Sequence, residues 1–295
     1  MRAENRAWRF LGHIVFACFT VACILPFFLL IQASLTDHQA IIRDGYSFFP
    51  SEYSLDAYRY LLQGGSGILR SYAITLFITV VGTVSSLFMS ALLAYPLSRR
   101  DYPARNPLAF IVFFTLLFNG GLVPTYLVYT QLFDLKNTIW ALIVPGLLMN
   151  GINVMLIRTY FLTSIPMPVI ESASIDGAGE WRTFRSIVLP LSMPILATVG
   201  LFQTIAYWND WNNALIYLTD SKLYGIQPLL NRILMDAQFL AGNTSWGSAN
   251  MINNSAPIET VKMAIAVIGV VPMLLAYPFF QKYFVKGIVV GAVKG

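Results

Sequence analysis

Six stretches of this chain run for about 20 residues without an Asp, Glu, Lys or Arg before their ends: Leu11–Leu35, Ser71–Leu97, Asn106–Phe133, Asn137–Ile157, Leu191–Trp208 and Met263–Gln281. A helix of about 20 apolar residues crosses roughly 30 Å of hydrocarbon, and there every backbone N–H and C=O must find a partner within the segment. The stretches therefore predict an all-α, polytopic membrane protein with six transmembrane helices. Composition points the same way: 57% of the 295 residues are hydrophobic and 11% are charged, against about 45–50% and 25% in soluble domains. One membrane domain over residues 1–295 accounts for the pattern.

The net charge of +5 carries no nucleic-acid signal, because the basic residues are distributed as a membrane orientation code. Arg2, Arg6 and Arg9 precede the first stretch, and Arg99, Arg100 and Arg105 fill the second link. Arg158, Arg182 and Arg185 lie between the fourth and fifth stretches, and Lys282, Lys286 and Lys294 follow the sixth. Cytoplasmic loops collect Lys and Arg, so these segments and both termini are expected in the cytosol. The first stretch is longer than the roughly 7–15 apolar residues of a secretory signal and has no clean cleavage site, so it reads as a retained span. Cys18 and Cys23 lie within it as small hydrophobes.

The outside then receives residues 36–70 and 209–259. In the first, Ser54 is placed to cap a short helix with Leu55, Tyr58 and Leu62 on one face. In the second, residues rich in Asn, Trp and Tyr lead to an irregular tip at Ala241–Ser248. Within the second stretch Gly82, Ser86, Ser90 and Ala94 recur every fourth position, a smooth ridge that lets membrane helices approach closely. Asn119-Gly120-Gly121 with Pro124, and Pro145-Gly146, interrupt the third and fourth. Such breaks either line a cavity or are plain kinks.

Catalytic chemistry is not visible. There is no phosphate-binding Gly-x-x-x-x-Gly-Lys-Ser/Thr loop, no nucleophile elbow and no metal-ligand spacing around His13 and His38. Ionisable residues at membrane depth, which proton- or ion-coupled carriers generally keep, are also missing.

Between Glu171 and Pro190 lies a charged island. Pro168 to Ile175 suits a short helix, Asp176-Gly177-Ala178-Gly179 a tight bend, and the following residues a second helix to Ile187. Two short helices at a bend make a compact knob, with Ala173, Trp181 and Phe184 apolar and Glu171, Arg182 and Arg185 at its rim. An amphipathic helix on the inner leaflet is the alternative, though it needs no fixed bend. The order Glu171, Ala173, Asp176-Gly177-Ala178, Phe184, Ile187, Leu189-Pro190 resembles the cytoplasmic coupling loop of ABC importer permeases, with Ser172 and Ser174 where that family usually carries Ala. Asn137-Thr138-Ile139-Trp140, the Tyr95-Pro96-Leu97-Ser98-Arg99-Arg100 ending of the second stretch and the terminal Gln281–Gly287 and Gly291–Gly295 are similar to the second, shorter permease of maltose-type carbohydrate importers, particularly those for oligosaccharides.

That resemblance implies a multi-pass subunit of the bacterial cytoplasmic membrane that is not itself an enzyme. It implies a partner permease, two ABC ATPase subunits and an extracytoplasmic solute-binding protein. ATP and Mg would bind in the ATPase subunits, and no cofactor in this chain. Residues 164–190 become the coupling loop, with Glu171, Ala173, Asp176, Gly177, Ala178, Phe184, Ile187 and Pro190 its contact set, and residues 209–259 the extracytoplasmic loop. The C-terminal segment with Gly287, Gly291 and Gly295 either reaches between the ATPase subunits or is a solvated tail. Sugars are held by aromatic faces and by amides or carboxylates, so Tyr207, Trp208 and Asn209 are path candidates, with Asn119, Tyr126, Asn150, Asn153 and Gln203 below them. Interfacial anchoring explains Trp and Tyr equally well. A secondary carrier or channel not driven by ATP, and a membrane scaffold, are the rival readings.

Overall fold

The computed structural model describes residues 4–63, 66–243 and 258–292. Regular structure among them is helical, and extended pairing amounts to an isolated antiparallel bridge between Thr36 and Tyr53. The chain divides into two compact units, residues 1–68 with 230–272 and residues 69–229 with 273–295.

In the first unit α1 (Glu4–Ser34) covers the first apolar stretch. Its most apolar window has no buried residue, and Trp8, Phe16 and Phe19 stand exposed. A helix apolar on every side belongs in lipid. Beyond it come α2 (His38–Asp44), whose first turn is capped by the Asp37 carboxylate accepting the Gln39 N–H at 2.8 Å, and α3 (Asp56–Gln63). Ser54 Oγ accepts the Asp56 N–H at 3.0 Å, as a cap should. The stripe that α3 buries is Ala57 and Leu61, whereas Leu55 and Leu62 are exposed. The Tyr58 hydroxyl meets Ser34 Oγ at 2.8 Å and ties this helix to the end of α1.

The long α4 (Ser66–Ser98) covers the second stretch. Its small-residue ridge is buried within the chain, with Ser86, Ser90 and Ala94 at 1% exposure or less. The ridge is intramolecular packing of the kind small residues allow. The third stretch is broken where expected, into α5 (Arg105–Leu117) and α6 (Leu122–Leu127), which continues as a π-turn over Val128–Leu132 and bends by 116° from α5. Gly121 turns the chain at φ +86, and Asn119 Oδ1 accepts its N–H at 2.8 Å. A side chain at that φ is strained, so glycine suits the corner.

The fourth stretch departs from a single helix. A 3-10 turn over Ile139–Leu142 gives way to irregular backbone, with Gly146 at φ +70, before α7 (Gly151–Ser164) begins. Asn150 caps α7 by accepting the Ile152 N–H at 2.8 Å. Beyond it lie α8 (Met167–Ile175), α9 (Glu180–Thr183) running into a π-turn over Phe184–Val188, α10 (Leu189–Leu191) and α11 (Met193–Trp208). The chain bends by 77° at Ser192, between Pro190 and Pro194, each of which removes a helical donor. After it come α12 (Asn212–Tyr217), α13 (Ile226–Asn243) and α14 (Ile258–Ala292). Ala241–Asn243 thus close a helix, and the rest of the expected tip at Ala241–Ser248 lies outside the described residues. The backbone of Gly287 and Gly291 is helical within α14, and Gly295 lies outside the described residues.

By length and composition, three described helices can cross a membrane, Trp8–Ser34, Gly67–Ser98 and Glu259–Pro278, and the two bent pairs qualify only as broken spans. Among the described residues, the core of the second unit includes two clusters along α4. One joins Ala91, Ala94, Tyr95 and Leu97 to Val154 and Ile157 of α7, to Phe184 and Val188, and to Val199 of α11. The other joins Ile78 to Ala141–Ile143 and to Ala214, Tyr217 and Leu218.

Candidate functional site

The charged island folds as the two-helix knob its residues imply. At the end of α8 the Ala178 N–H donates to the Ala173 carbonyl at 2.9 Å, and the Gly177 N–H donates to the Ser174 carbonyl at 3.1 Å, with Gly177 at φ +76. This is a Schellman stop, in which a left-handed residue lets two backbone donors satisfy carbonyls the helix leaves open. Ala173 and Ala178 are the small residues such a stop brings together. The bend is therefore made by backbone bonds, and among the described residues the Asp176 carboxylate takes no part in it.

Gly179 then starts α9, whose Thr183 N–H donates to the Gly179 carbonyl at 3.0 Å. The knob is seated through Phe184, 1% exposed, which packs on Tyr95 of α4 with ring centroids 5.2 Å apart and on Trp181 at 5.8 Å. Ala173 and Val188 are buried with it, and Ile187 is half-buried. Facing outward are Glu171, Asp176, Gly177, Pro190, Arg182 and Arg185. Ile175 is 86% exposed and Trp181 56%, so the outer side of the knob shows apolar surface amid charge. Patches of that kind mark contact sites.

Beside the knob, Glu180 Oε2 accepts the Tyr95 hydroxyl at 2.5 Å, while its Oε1 meets Arg99 Nη2 at 3.3 Å. Arg99 also pairs with Asp101 at 3.1 Å. A cavity of about 520 Å³ opens here, walled by Leu92, Tyr95, Tyr102 and Trp181 among others. Sequence reading missed the role of Glu180. Its partners lie 81 and 85 residues away, and no local pattern announces them.

The path candidates separate into two groups. Asn153, Gln203 and Tyr207 are buried and commit their polar atoms to the chain itself. Asn153 Nδ2 donates to Gln203 Oε1 at 3.0 Å, Gln203 Nε2 donates to the Leu147 carbonyl, and the Tyr207 hydroxyl donates to the Ile143 carbonyl at 2.9 Å. Asn213, which sequence reading did not single out, donates to the Pro145 carbonyl at 3.1 Å. Three carbonyls that the broken fourth stretch leaves without helical partners are thus satisfied from α11 and α12. Irregular backbone at membrane depth requires such partners.

The remaining candidates are placed differently. Asn119 and Asn209 are exposed, and Tyr126 and Asn150 are half-buried. Tyr126 stacks on Tyr217 with centroids 5.9 Å apart, and Tyr129 meets Tyr217 edge-on at 6.1 Å. Trp208 is buried with its ring 6.3 Å from Tyr72. Asn209 Oδ1 lies 3.5 Å from Gln227 Nε2. Asp210 sits in the turn between α11 and α12, its Oδ1 accepting the N–H groups of Asn212 and Asn213 at 3.1 and 3.2 Å. Burial raises its carboxyl above the usual range, and those bonds partly offset the rise. No group of three His, Cys, Asp or Glu suited to a metal occurs among the described residues.

Known proteins resemble this chain in sequence and in overall fold. The chain is 41% identical over 293 residues to the polygalacturonan/rhamnogalacturonan transport system permease protein YtcP of Bacillus subtilis, covering 99% of this chain and all of the relative. It is 40% identical over 272 residues to protein LplC of the same organism, covering 92% and 90%. In three dimensions it matches a chain from the crystal structure of a bacterial ABC transporter involved in import of the acidic polysaccharide alginate, with a TM-score of 0.80, 30% identity, and coverage of 95% and 98%. The family model of the binding-protein-dependent transport system inner membrane component matches residues 3–290. The chain belongs to that family, the membrane components of ABC importers.

Proposed function

We propose that this chain is a permease subunit of an ATP-driven importer of oligosaccharides derived from acidic polysaccharides. The supporting observation is that YtcP, alike along its full length, is named for polygalacturonan and rhamnogalacturonan, while the similar solved transporter imports alginate. The reading has the chain pair with a second permease, two ATPase subunits that hold ATP and Mg, and an extracytoplasmic solute-binding protein. Six crossings with both termini in the cytosol place the knob inside and residues 209–259 outside, in keeping with the basic bias.

In this reading the knob couples hydrolysis to transport. Glu171, Asp176 and Gly177, together with Ile175 and Trp181, face the ATPase, while Ala173, Ala178, Phe184, Ile187 and Pro190 shape the knob and seat it on α4. Its outward charge beside exposed apolar residues supports that docking role. Asn119, Tyr126, Asn150 and Asn209 line the sugar path, whereas Asn153, Gln203 and Tyr207 hold its walls.

The test is to purify the assembled complex with its binding protein and measure ATPase stimulation by a panel of oligosaccharides. Oligogalacturonides or oligoalginates should stimulate several-fold more than neutral maltodextrins. Stimulation by neutral sugars alone would overturn the acidic class, and absence of an ATPase from the complex would overturn the importer.

A further inference from the structure

Among the described residues of the knob, Glu180 is the acidic or basic residue paired by charge inside the chain. Glu171, Asp176, Arg182 and Arg185 form no ion pair there. Its two oxygens are divided between Tyr95, at 2.5 Å in the last turn of α4, and Arg99, at 3.3 Å just past the end of that helix. A hydroxyl donating to a carboxylate makes a charge-assisted bond, stronger than a neutral one. The Arg99 guanidinium carbon also stands 6.0 Å from the Tyr95 ring centroid, within cation–π range, and Nη1 is buried without an oxygen partner. Tyr95 in turn packs on Phe184. Hydrogen bond, ion pair and ring contact thus join the same two elements.

Stability alone does not account for this arrangement. The Glu180 side chain is 67% exposed, and exposed ion pairs contribute little to folding. Direction is what they supply, since α9 is one turn long and has no side-chain cap of its own.

We propose that Glu180 is a positioning residue: through Tyr95 and Arg99 it latches the first turn of α9 to the end of α4, so that the knob and this helix move as one body when the ATPase subunits close. The latch rests on the coupling role of the knob proposed above. Without it the knob still folds, because the Schellman stop and Phe184 remain, but its displacement is absorbed locally and hydrolysis is wasted.

The test uses the assembled transporter and counts sugar imported per ATP hydrolysed in Tyr95→Phe, Glu180→Gln and the double variant. Each single variant should lower the ratio about fivefold or more, the low end of coupling between linked sites, with ATPase subunits still bound. The double variant should lose no more than Glu180→Gln alone, because that exchange removes the ion pair with Arg99 and weakens the bond from Tyr95, and Tyr95→Phe takes away only the second of these. In a background with Cys18 and Cys23 replaced, spin labels at Ser174→Cys and Arg100→Cys should keep one separation with and without trapped ATP, and the distribution should broaden in Glu180→Gln. A separation that changes with nucleotide in the parent, or losses that simply add, would overturn the latch. Gly177→Val serves as the control. If it abolishes uptake while Glu180→Gln keeps the full ratio, the latch alone fails; if it keeps full uptake, the coupling role fails and the latch with it.

Discussion

Tyr207 lies flat against Gly82, so close that a Cβ at position 82 would stand 2.6 Å from its Cε1 and 2.7 Å from its Cε2. The same ring carries the hydroxyl that satisfies the Ile143 carbonyl. A missing side chain on α4 thereby supports the broken fourth stretch. Gly82→Ala should displace the ring and cost about 1–3 kcal/mol of stability by overpacking, read as a lowered unfolding midpoint of the purified protein in detergent. An unchanged midpoint would mean the ring is free to move aside.

The buried ladder yields a second expectation. Gln203→Leu strips the Leu147 carbonyl and the Asn153 amide of their partner at once, and each buried polar group left alone costs about 1–3 kcal/mol. Less protein should accumulate in the membrane, while the sugar half-saturation of what remains stays unchanged. Asn209→Ala, at an exposed position, should do the reverse and raise half-saturation without loss of protein. Exchange of the two phenotypes would reassign wall and lining.

At the knob, Gly177 holds a φ of +76 with open space around its Cα. Strain rather than crowding therefore decides the outcome. Gly177→Val should cost about 1–3 kcal/mol locally, leave insertion intact and abolish uptake, whereas Gly177→Asn, which tolerates the left-handed region, should retain much of it. Equal uptake in all three proteins would remove the Schellman stop from the coupling mechanism.

Orientation can be checked with single cysteines at Ser174 and Ser248 in a background lacking Cys18 and Cys23. Membrane-impermeant reagent should reach position 248 from outside and position 174 only in inverted vesicles. Labelling of both from one side would refute the proposed topology.

Asp210 gives a pH dependence of definite sign. Burial raises its folded pKa above the reference 3.8, so between the two values the folded state binds more proton than the unfolded one. Stability is then fullest below about pH 4 and declines as pH rises through the folded value. The unfolding midpoint should fall over that window, and Asp210→Asn should flatten the fall. A slope equal in both proteins would show that Asp210 is not its source.

Local pattern carried the reading where one segment settles its own structure. Long uncharged stretches became α1, α4 and α14, because a run of that length has few alternatives to a buried or lipid-facing helix. The breaks at Asn119–Gly121 and Pro145–Gly146 were legible because Gly and Pro act through their own backbone, and Asp176-Gly177-Ala178 announced the knob for the same reason. What tertiary structure alone decided was the use of polar groups across distance. The tie between α3 and α1 needs Ser34 beside Tyr58. The amides of Asn153 and Gln203 read as candidates for the sugar path until the fold set them against each other and against the Leu147 carbonyl. Glu180 looked like one charge in a polar loop until α4 brought Tyr95 and Arg99 to it. Hydrophobic periodicity is written along the chain, but a hydrogen bond needs both partners, and the fold is what brings the second one.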